Sequence, residues 1–595
     1  MTEEQISRVD FLRKKSPRKR RWQIPKKGLV GNVRALRKEI GLEDVMKNVD
    51  SSKNPLMIEI SNAMHRIPAF YNSHEEMAKP GTLNDPIATI GYVYSMMLAN
   101  PNSVDMEMFY GAYEMAQEAK SMTSHLLGLS PTFSIDTTGE WVDGIVPHHV
   151  GGWFLNGGTE SIQQAIWTFR NKFLKDKFGN EDIRSNGYRN IIAKDIPVVI
   201  APINAHFALD KSMEIVGLGK GDSSIKRFYL NNGGRPEPES FRKQLRNTLA
   251  HGEEVSTVFV TAGDTERGII SDTSAMAKVL RDEYKRKGLE NNIPPIMVDA
   301  AAQYLFAAVM DSSDKYLDVD GIPMEIPVWD FRIPEVEVIV TDPHKNEIPY
   351  PASILIYRDA KLANFTQMEE AYLSNDMLKH VTGMATEELA VAQACSTIPT
   401  SRAAYGSIAT WAYYVGNGLD KIRQRKEKVW ANILNVWNAV DNGDLSEKYE
   451  RLFTPQTAII NLRLNPEWIG NNTHKFDRNV VRKAEAIVEA YEDVDYKIGL
   501  NSVLSGELTH SIYENVNKST GDMLYIAKST KLKTLSEADY HAANEVKQIF
   551  SGAGHESTGL IIHVMEHNRL KDMNTLVRRL NEEATNLFEK KPEIY

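Results

Sequence analysis

The chain has 595 residues, 42% hydrophobic and 25% charged, a balance that excludes a disordered or fibrous protein. Seventy Lys and Arg against 79 Asp and Glu leave a net charge of −9, which argues against a surface built throughout to grip nucleic acid. Cys395 is the single cysteine, so an intrachain disulfide and a multi-cysteine metal site are both excluded.

The amino-terminal residues lack the apolar stretch of a secretory signal. The longest apolar run, IGYVYSMMLA at 90–99, is far below the roughly 18 residues that span a bilayer. The expectation is a cytoplasmic protein that does not cross membranes. At 13–27, nine of fifteen residues are basic, with Pro17, Trp22 and Pro25 interleaved, a composition that cannot build a packed element alone. This is an arm, read as a solvated or partner-draped segment, with an anionic-polymer contact as the sharper alternative. Residues 85–129 then carry helical patterns.

Between 151 and 359 the pattern changes to short Val- and Ile-rich runs, namely IPVVIAPI, VSTVFVTA, PPIMVDAA, VEVIVTDPH and ASILIYRD, which predict buried strands. TESIQQAIWTFRNKFLKD and TSAMAKVLRDEYKRKG have helical periodicity between them. The rhythm is that of an α/β domain with a largely parallel sheet, whose ligands sit at the carboxyl ends of the strands. Beyond Arg402 the chain is again mostly helical, and 465–473 reads as a loop. Three regions are expected: 1–110, a basic arm and helical segment; 111–400, the large domain; and 401–595, a small domain.

Three segments could carry chemistry. NGGTES at 156–161 follows a short apolar stretch and precedes a helix, so its glycines and the helix amino terminus offer N–H groups to a phosphate; a Thr-capped structural turn is the plainer reading. Asp299 ends an apolar strand, where an unpaired charge is costly, so it should have a cationic partner, structural or otherwise. Thr341, Asp342, Pro343, His344 and Lys345 end another. A lysine among cations there would lose its proton more readily and become nucleophilic, although a lone His-Lys pair is usually a surface accident.

With His206 in NAHFALDK and Thr265 in TAGDT, these segments occur in the order GGTES, His-x4-Lys, TAG-x-T, VDAA and D-x-HK over nearly 190 residues. In that order and spacing the chain resembles the fold type I, pyridoxal-phosphate-dependent group II amino-acid decarboxylases. TDPHK with its following Pro-Tyr looks most like the tyrosine-decarboxylase branch. The resemblance implies a fold type I large domain with a mainly parallel sheet, a helical amino-terminal segment, a small carboxyl-terminal α+β domain, and a homodimer with its active site at the interface. It implies pyridoxal phosphate held covalently by Lys345, with Asp299 at the ring nitrogen and His206 stacked on the ring. Thr265 would touch the phenolic oxygen, and Gly158, Thr159 and His344 the phosphate. The proton donor is sought on a loop at 372–398, with Tyr372 and His380 as candidates. Arg402 could serve a substrate carboxylate or anchor the small domain. His148 and His149 could line the pocket or be structural, and no spacing suggests a metal site.

Departures from the family pattern are Ala302-Gln303-Tyr304-Leu305 after VDAA, Asn346-Glu347 after the lysine, and Asp264 in the TAG segment, all expected to fall near the substrate. The implied reaction is decarboxylation of an L-amino acid, aromatic first and glutamate or aspartate second. The rivals are a carbon–carbon lyase of the sphingosine-phosphate-lyase kind and a non-catalytic scaffold acting through the basic arm.

Overall fold

The computed structural model describes residues 84–97, 100–103, 109–129 and 150–476, with gaps at 180–182, 232–233, 311–315, 320–321, 368–395 and 453–455, and after 476 chiefly 527–529, 559–563 and 570–588. The basic arm, His148, His149, Tyr372, His380 and Cys395 lie outside the described residues.

Two helices, α1 (Pro86–Met96) and α2 (Tyr110–Leu126), precede strand β1 (Gly151–Leu155) and helix α3 (Gly158–Phe178). There follow β2 (Val198–Pro202), α4 (Ala208–Ile215), β3 (Ile225–Phe228), α5 (Pro238–Ala250), β4 (Val255–Thr261), α6 (Thr273–Arg286), β5 (Ile296–Asp299) and α7 (Tyr304–Met310). A two-stranded ribbon, β6 (Tyr316–Val319) and β7 (Ile322–Glu325), leads to β8 (Val336–Thr341) and β9 (Ser353–Tyr357). The seven-stranded sheet has the order β1-β9-β8-β5-β4-β2-β3, and β9 alone runs against the others. All five apolar runs become strands of this sheet.

The runs are continuously apolar because both faces of the sheet are covered. Alternate residues feed two cores. Val199, Phe259, Met297 and Val338 pack under α3 and α4 with Ile162, Phe169 and Met213. Ile200, Val258, Val298 and Ile339 face the opposite core, which includes Phe241 of α5 and Leu280 of α6. The period of two is the pleat of the strands expressed as burial.

The long helix α8 (Tyr405–Asn442) follows the expected periodicity but breaks at Gly418, whose φ of 73° and ψ of 162° suit a residue without a Cβ. It lies against α1, α2 and α7 and reaches α10 (Leu570–Asn586), so it packs on elements from both before and after position 400. The carboxyl-terminal part is α+β: β10 (Tyr449–Arg451), β11 (Ile459–Leu464), β12 (Ala527–Ser529) and β13 (Gly559–His563) form an antiparallel sheet in the order β10-β11-β13-β12. The loop expected at 465–473 is instead helix α9 (Pro466–Asn472). Asn465 caps it by accepting the Glu467 N–H at 2.8 Å, Pro466 occupies its first turn, and Trp468 and Ile469 are buried beneath it. Among the described residues no helix is long and apolar enough to cross a membrane.

Candidate active site

The parallel strands end on one edge of the sheet, and the turns that follow β2, β4, β5 and β8 meet the β1–α3 turn around a single cavity of about 1150 Å³. Lys345, His344, Asp299, Thr265, His206, Gly158 and Thr159 all line it. Seven residues separated by as much as 187 positions in sequence are brought together because a parallel sheet places every carboxyl end on the same side.

At the end of β8, Asp342 is 1% exposed and organises the residues that follow. Its Oδ2 lies 2.9 Å from Lys345 Nζ and 3.6 Å from His344 Nε2. The Lys345 N–H donates to the Asp342 carbonyl at 2.9 Å, closing a tight turn. Helix α3 begins directly over this carboxylate. A Cβ at Gly158 would meet Asp342 Oδ2 at 2.9 Å and Ala301 Cβ at 3.1 Å, so the close approach admits only glycine without a shift. The first N–H groups of α3 have no acceptor within the helix and open on the cavity. His344 is fixed by its Nδ1, which lies 2.6 Å from the Ala352 carbonyl and 3.3 Å from the Ala352 N, and by an edge-to-face contact with Tyr350 at 4.5 Å.

The electrostatics of Lys345 differ from the sequence expectation. Burial alone would lower its amine, but Asp342, supported by Asp299 and Tyr350, outweighs burial and holds the amine above its ordinary value. The nearest charge is an anion and not a cation, so Lys345 is a charged ammonium in the cofactor-free chain. Asp342 was visible in the motif, yet its role was not, because sequence order puts His344 next to the lysine while the turn swings the acid onto its Nζ. Asp342→Asn is expected to lower the pH at which Lys345 becomes reactive toward an amine reagent, read by peptide mapping over a pH series. An unchanged midpoint would remove Asp342 from this role.

Asp299 accepts the Ala301 N–H at 3.1 Å and, among the described residues, has no ion pair within 4 Å. Burial pushes its carboxyl up to about 6, against the weaker pull of Lys345. The cationic partner expected from the sequence is therefore not a side chain at ion-pair distance. Thr265 lies beside Asp264, whose Oδ2 accepts Asn204 Nδ2 at 2.7 Å and whose Oδ1 accepts the Glu266 N–H at 3.2 Å. This loop is anchored to the carboxyl-terminal sheet, where Asn461 Nδ2 donates to the Glu266 carbonyl at 2.7 Å. His206 is half-buried on the cavity wall, its ring 4.3 Å from that of Phe207.

Two of the three sequence departures fall elsewhere than expected. Of Ala302, Gln303, Tyr304 and Leu305 only Ala302 lines the cavity; Tyr304 is wholly buried and bonds Tyr414 hydroxyl to hydroxyl at 3.0 Å. Asn346 and Glu347 do not line it either, whereas Asp264 does. Arg402, read as a possible substrate contact, is also outside the cavity. It borders a second, much smaller one together with Lys120, and its guanidinium donates to Thr397 Oγ1. Its backbone N–H donates to Asn102 Oδ1 at 3.1 Å, which ties it to the segment before α2.

Pyridoxal phosphate needs an amine for its aldehyde, an anion for its ring nitrogen and an N–H-rich cradle for its phosphate. Lys345, Asp299 and the opening turn of α3 supply these in one cavity, and a carboxylate pushed up to about 6 by burial suits a protonated ring nitrogen. The residues present fit the group.

No family model matches the chain. It is similar to a probable L-tyrosine/L-aspartate decarboxylase of Methanothermobacter thermautotrophicus, 24% identical over 274 residues, which are 46% of this chain and 61% of that one. It is also similar to a probable L-aspartate decarboxylase of Thermococcus gammatolerans, 26% identical over 362 residues, which are 61% of this chain and 72% of that one. The chain thus spans about three fifths of the length of the first of these relatives. Among solved structures, Oryza sativa TDC with PLP and tryptamine superposes with a TM-score of 0.64 at 14% identity, covering 94% of this chain and 99% of the other. These similarities bear out the resemblance read from the five motifs without singling out its tyrosine branch. The chain has the fold type I architecture of the pyridoxal-phosphate-dependent group II amino-acid decarboxylases.

Proposed function

We propose that the chain is a pyridoxal-phosphate-dependent enzyme that removes the α-carboxylate of an L-amino acid as carbon dioxide, leaving the amine. The observation that carries this reading is the placement of Lys345 and Asp299 on one cavity at the carboxyl edge of the sheet, under the opening turn of α3. Bound there, pyridoxal phosphate supplies an electron sink for cleavage of a bond at Cα.

The chain's own residues do the rest. Lys345 is the attachment point, and Asp342 holds its proton until the amine is needed. Asp299 would face the ring nitrogen and, ionised, would keep it protonated. His206 and Thr265 both line the cavity; His206 would cover a ring face and Thr265 would meet the ring's oxygen. Gly158, Thr159 and His344 stand at the helix terminus that favours an anion. Tyr372 and His380 remain the proposed sources of the proton returned to Cα.

An aromatic L-amino acid is the first substrate to test and aspartate or glutamate the second; the names of the relatives include both tyrosine and aspartate. We further propose a cytoplasmic homodimer, with nucleic acid and membranes outside its partners. Incubation of the full chain and pyridoxal phosphate with each common L-amino acid should release carbon dioxide from at least one, preferentially an aromatic one. Release from none would sink the decarboxylase reading, and release from aspartate alone would move the substrate class.

A further inference from the structure

Two residues past Lys345 the backbone turns into the left-handed region. Glu347 has φ of 64°, a conformation costly to any residue with a Cβ. A dense set of charged bonds holds it there. Arg425 of α8 donates from Nη1 to both carboxylate oxygens of Glu347 at 2.9 Å, and the Tyr413 hydroxyl donates to Oε2 at 2.8 Å. Arg425 Nη2 reaches Asp85 Oδ2 at 2.8 Å, and the Asp85 N–H closes the ring by donating to the Glu347 carbonyl at 2.7 Å. Asp85 also caps α1 through the N–H groups of Ile87 and Ala88. Next to this, Asn346 is 2% exposed and donates from Nδ2 to the Asp342 carbonyl at 3.2 Å.

Consecutive residues of α8 thus grip the consecutive residues that follow Lys345, for Lys426 Nζ lies 3.5 Å from Asn346 Oδ1. Neither Asn346 nor Glu347 lines the cavity, so their effect on it passes through Lys345. The backbone on one side of Lys345 is fixed by the Asp342 turn; on the other it is fixed by this ring.

We propose that Glu347, Arg425 and Asp85 form a positioning clamp that holds the Lys345 amine against Asp342 and so at the place where a cofactor would be bound. Only the last clause rests on the proposed function; the clamp itself is a statement about the cofactor-free chain. If the clamp loosens, Lys345 spends less time on Asp342, and its pH midpoint falls. The other charged or titratable groups facing it, His344 on its own segment, Asp299 on β5 and Tyr350, stay in place.

The test is competitive acetylation of the full, cofactor-free chain with acetic anhydride across pH, mapped at Lys345, in Glu347→Gln and Arg425→Met. Both should lower the Lys345 midpoint and raise its labelling at neutral pH several-fold, with Arg425→Lys in between. Glu283→Gln, which loosens three arginines around α6 far from the site, should lower the melting temperature and leave the Lys345 midpoint as in the parent. A parental midpoint in both clamp variants, whatever their melting temperature, would make the ring a structural tie only and overturn the proposal. Should Glu347→Gln fail to fold, Glu347→Gly removes the backbone cost while breaking the clamp, and the same midpoint decides. Because labelling needs no cofactor, a parent chain that never takes up pyridoxal phosphate would defeat the functional reading while leaving this outcome readable.

Discussion

Replacing Lys345 by alanine is expected to abolish carbon dioxide release, with a loss on the order of 10³-fold or more, since a covalent attachment removed entirely has no partial substitute. The structure adds a second consequence. Asp342 is 1% exposed and Lys345 Nζ is the cation within 2.9 Å of it, so the alanine variant leaves a buried carboxylate without its partner. Lys345→Ala should therefore also melt several degrees lower. Lys345→Arg separates the two effects: a guanidinium restores the charge beside Asp342, so stability returns toward the parent while activity stays absent. Thermal melts and carbon dioxide assays on the three proteins check this. An active Lys345→Arg would contradict the assigned chemistry.

Asp299→Asn is expected to act in opposite directions with and without cofactor. In the cofactor-free chain the Asp299 carboxyl is pushed up to about 6 from an ordinary value near 3.8, so the folded state holds the proton more tightly than the unfolded one. The sign follows: below about pH 3.8 the site carries no penalty, the penalty grows as pH rises through the interval to 6, and it is fully present above. Removing the carboxylate should then stabilise the empty chain at neutral pH, by roughly 3 kcal/mol at most, and by nothing near pH 3.5. With pyridoxal phosphate the balance reverses. The carboxylate faces a cation, and its loss should weaken cofactor binding on the order of 10²-fold. Melts of both chains at two pH values, with and without cofactor, read the crossover. A variant destabilised in both states would show Asp299 to be an ordinary buried ion-pair member.

Much of this was legible in the sequence, for identifiable reasons. Continuous Val and Ile runs mark strands covered on both faces, and chemistry-bearing residues at the ends of successive parallel strands must share an edge, so Asp299 and Lys345 could be placed together without a structure. The antiparallel direction of β9 leaves no such trace, because a buried strand is equally apolar in either direction. Helix α9 was missed although Asn465-Pro466-Glu467 is good helix-start chemistry; its short length hides the periodicity. Asn346 and Glu347 were assigned to the substrate from proximity to Lys345, but their grip comes from Arg425 and Lys426, with Arg425 lying 78 residues beyond Glu347, and contacts at that range are invisible in a single sequence. Asp342 illustrates the same limit at short range, since only the turn after β8 decides that the acid, and not the adjacent histidine, meets the lysine.

The most direct measurement is reduction of the full chain with borohydride in the presence of pyridoxal phosphate, followed by peptide mapping. The account predicts a single stable pyridoxyl adduct on the peptide containing Lys345, absent from Lys345→Ala. Adducts scattered over surface lysines, or none at position 345, would contradict it.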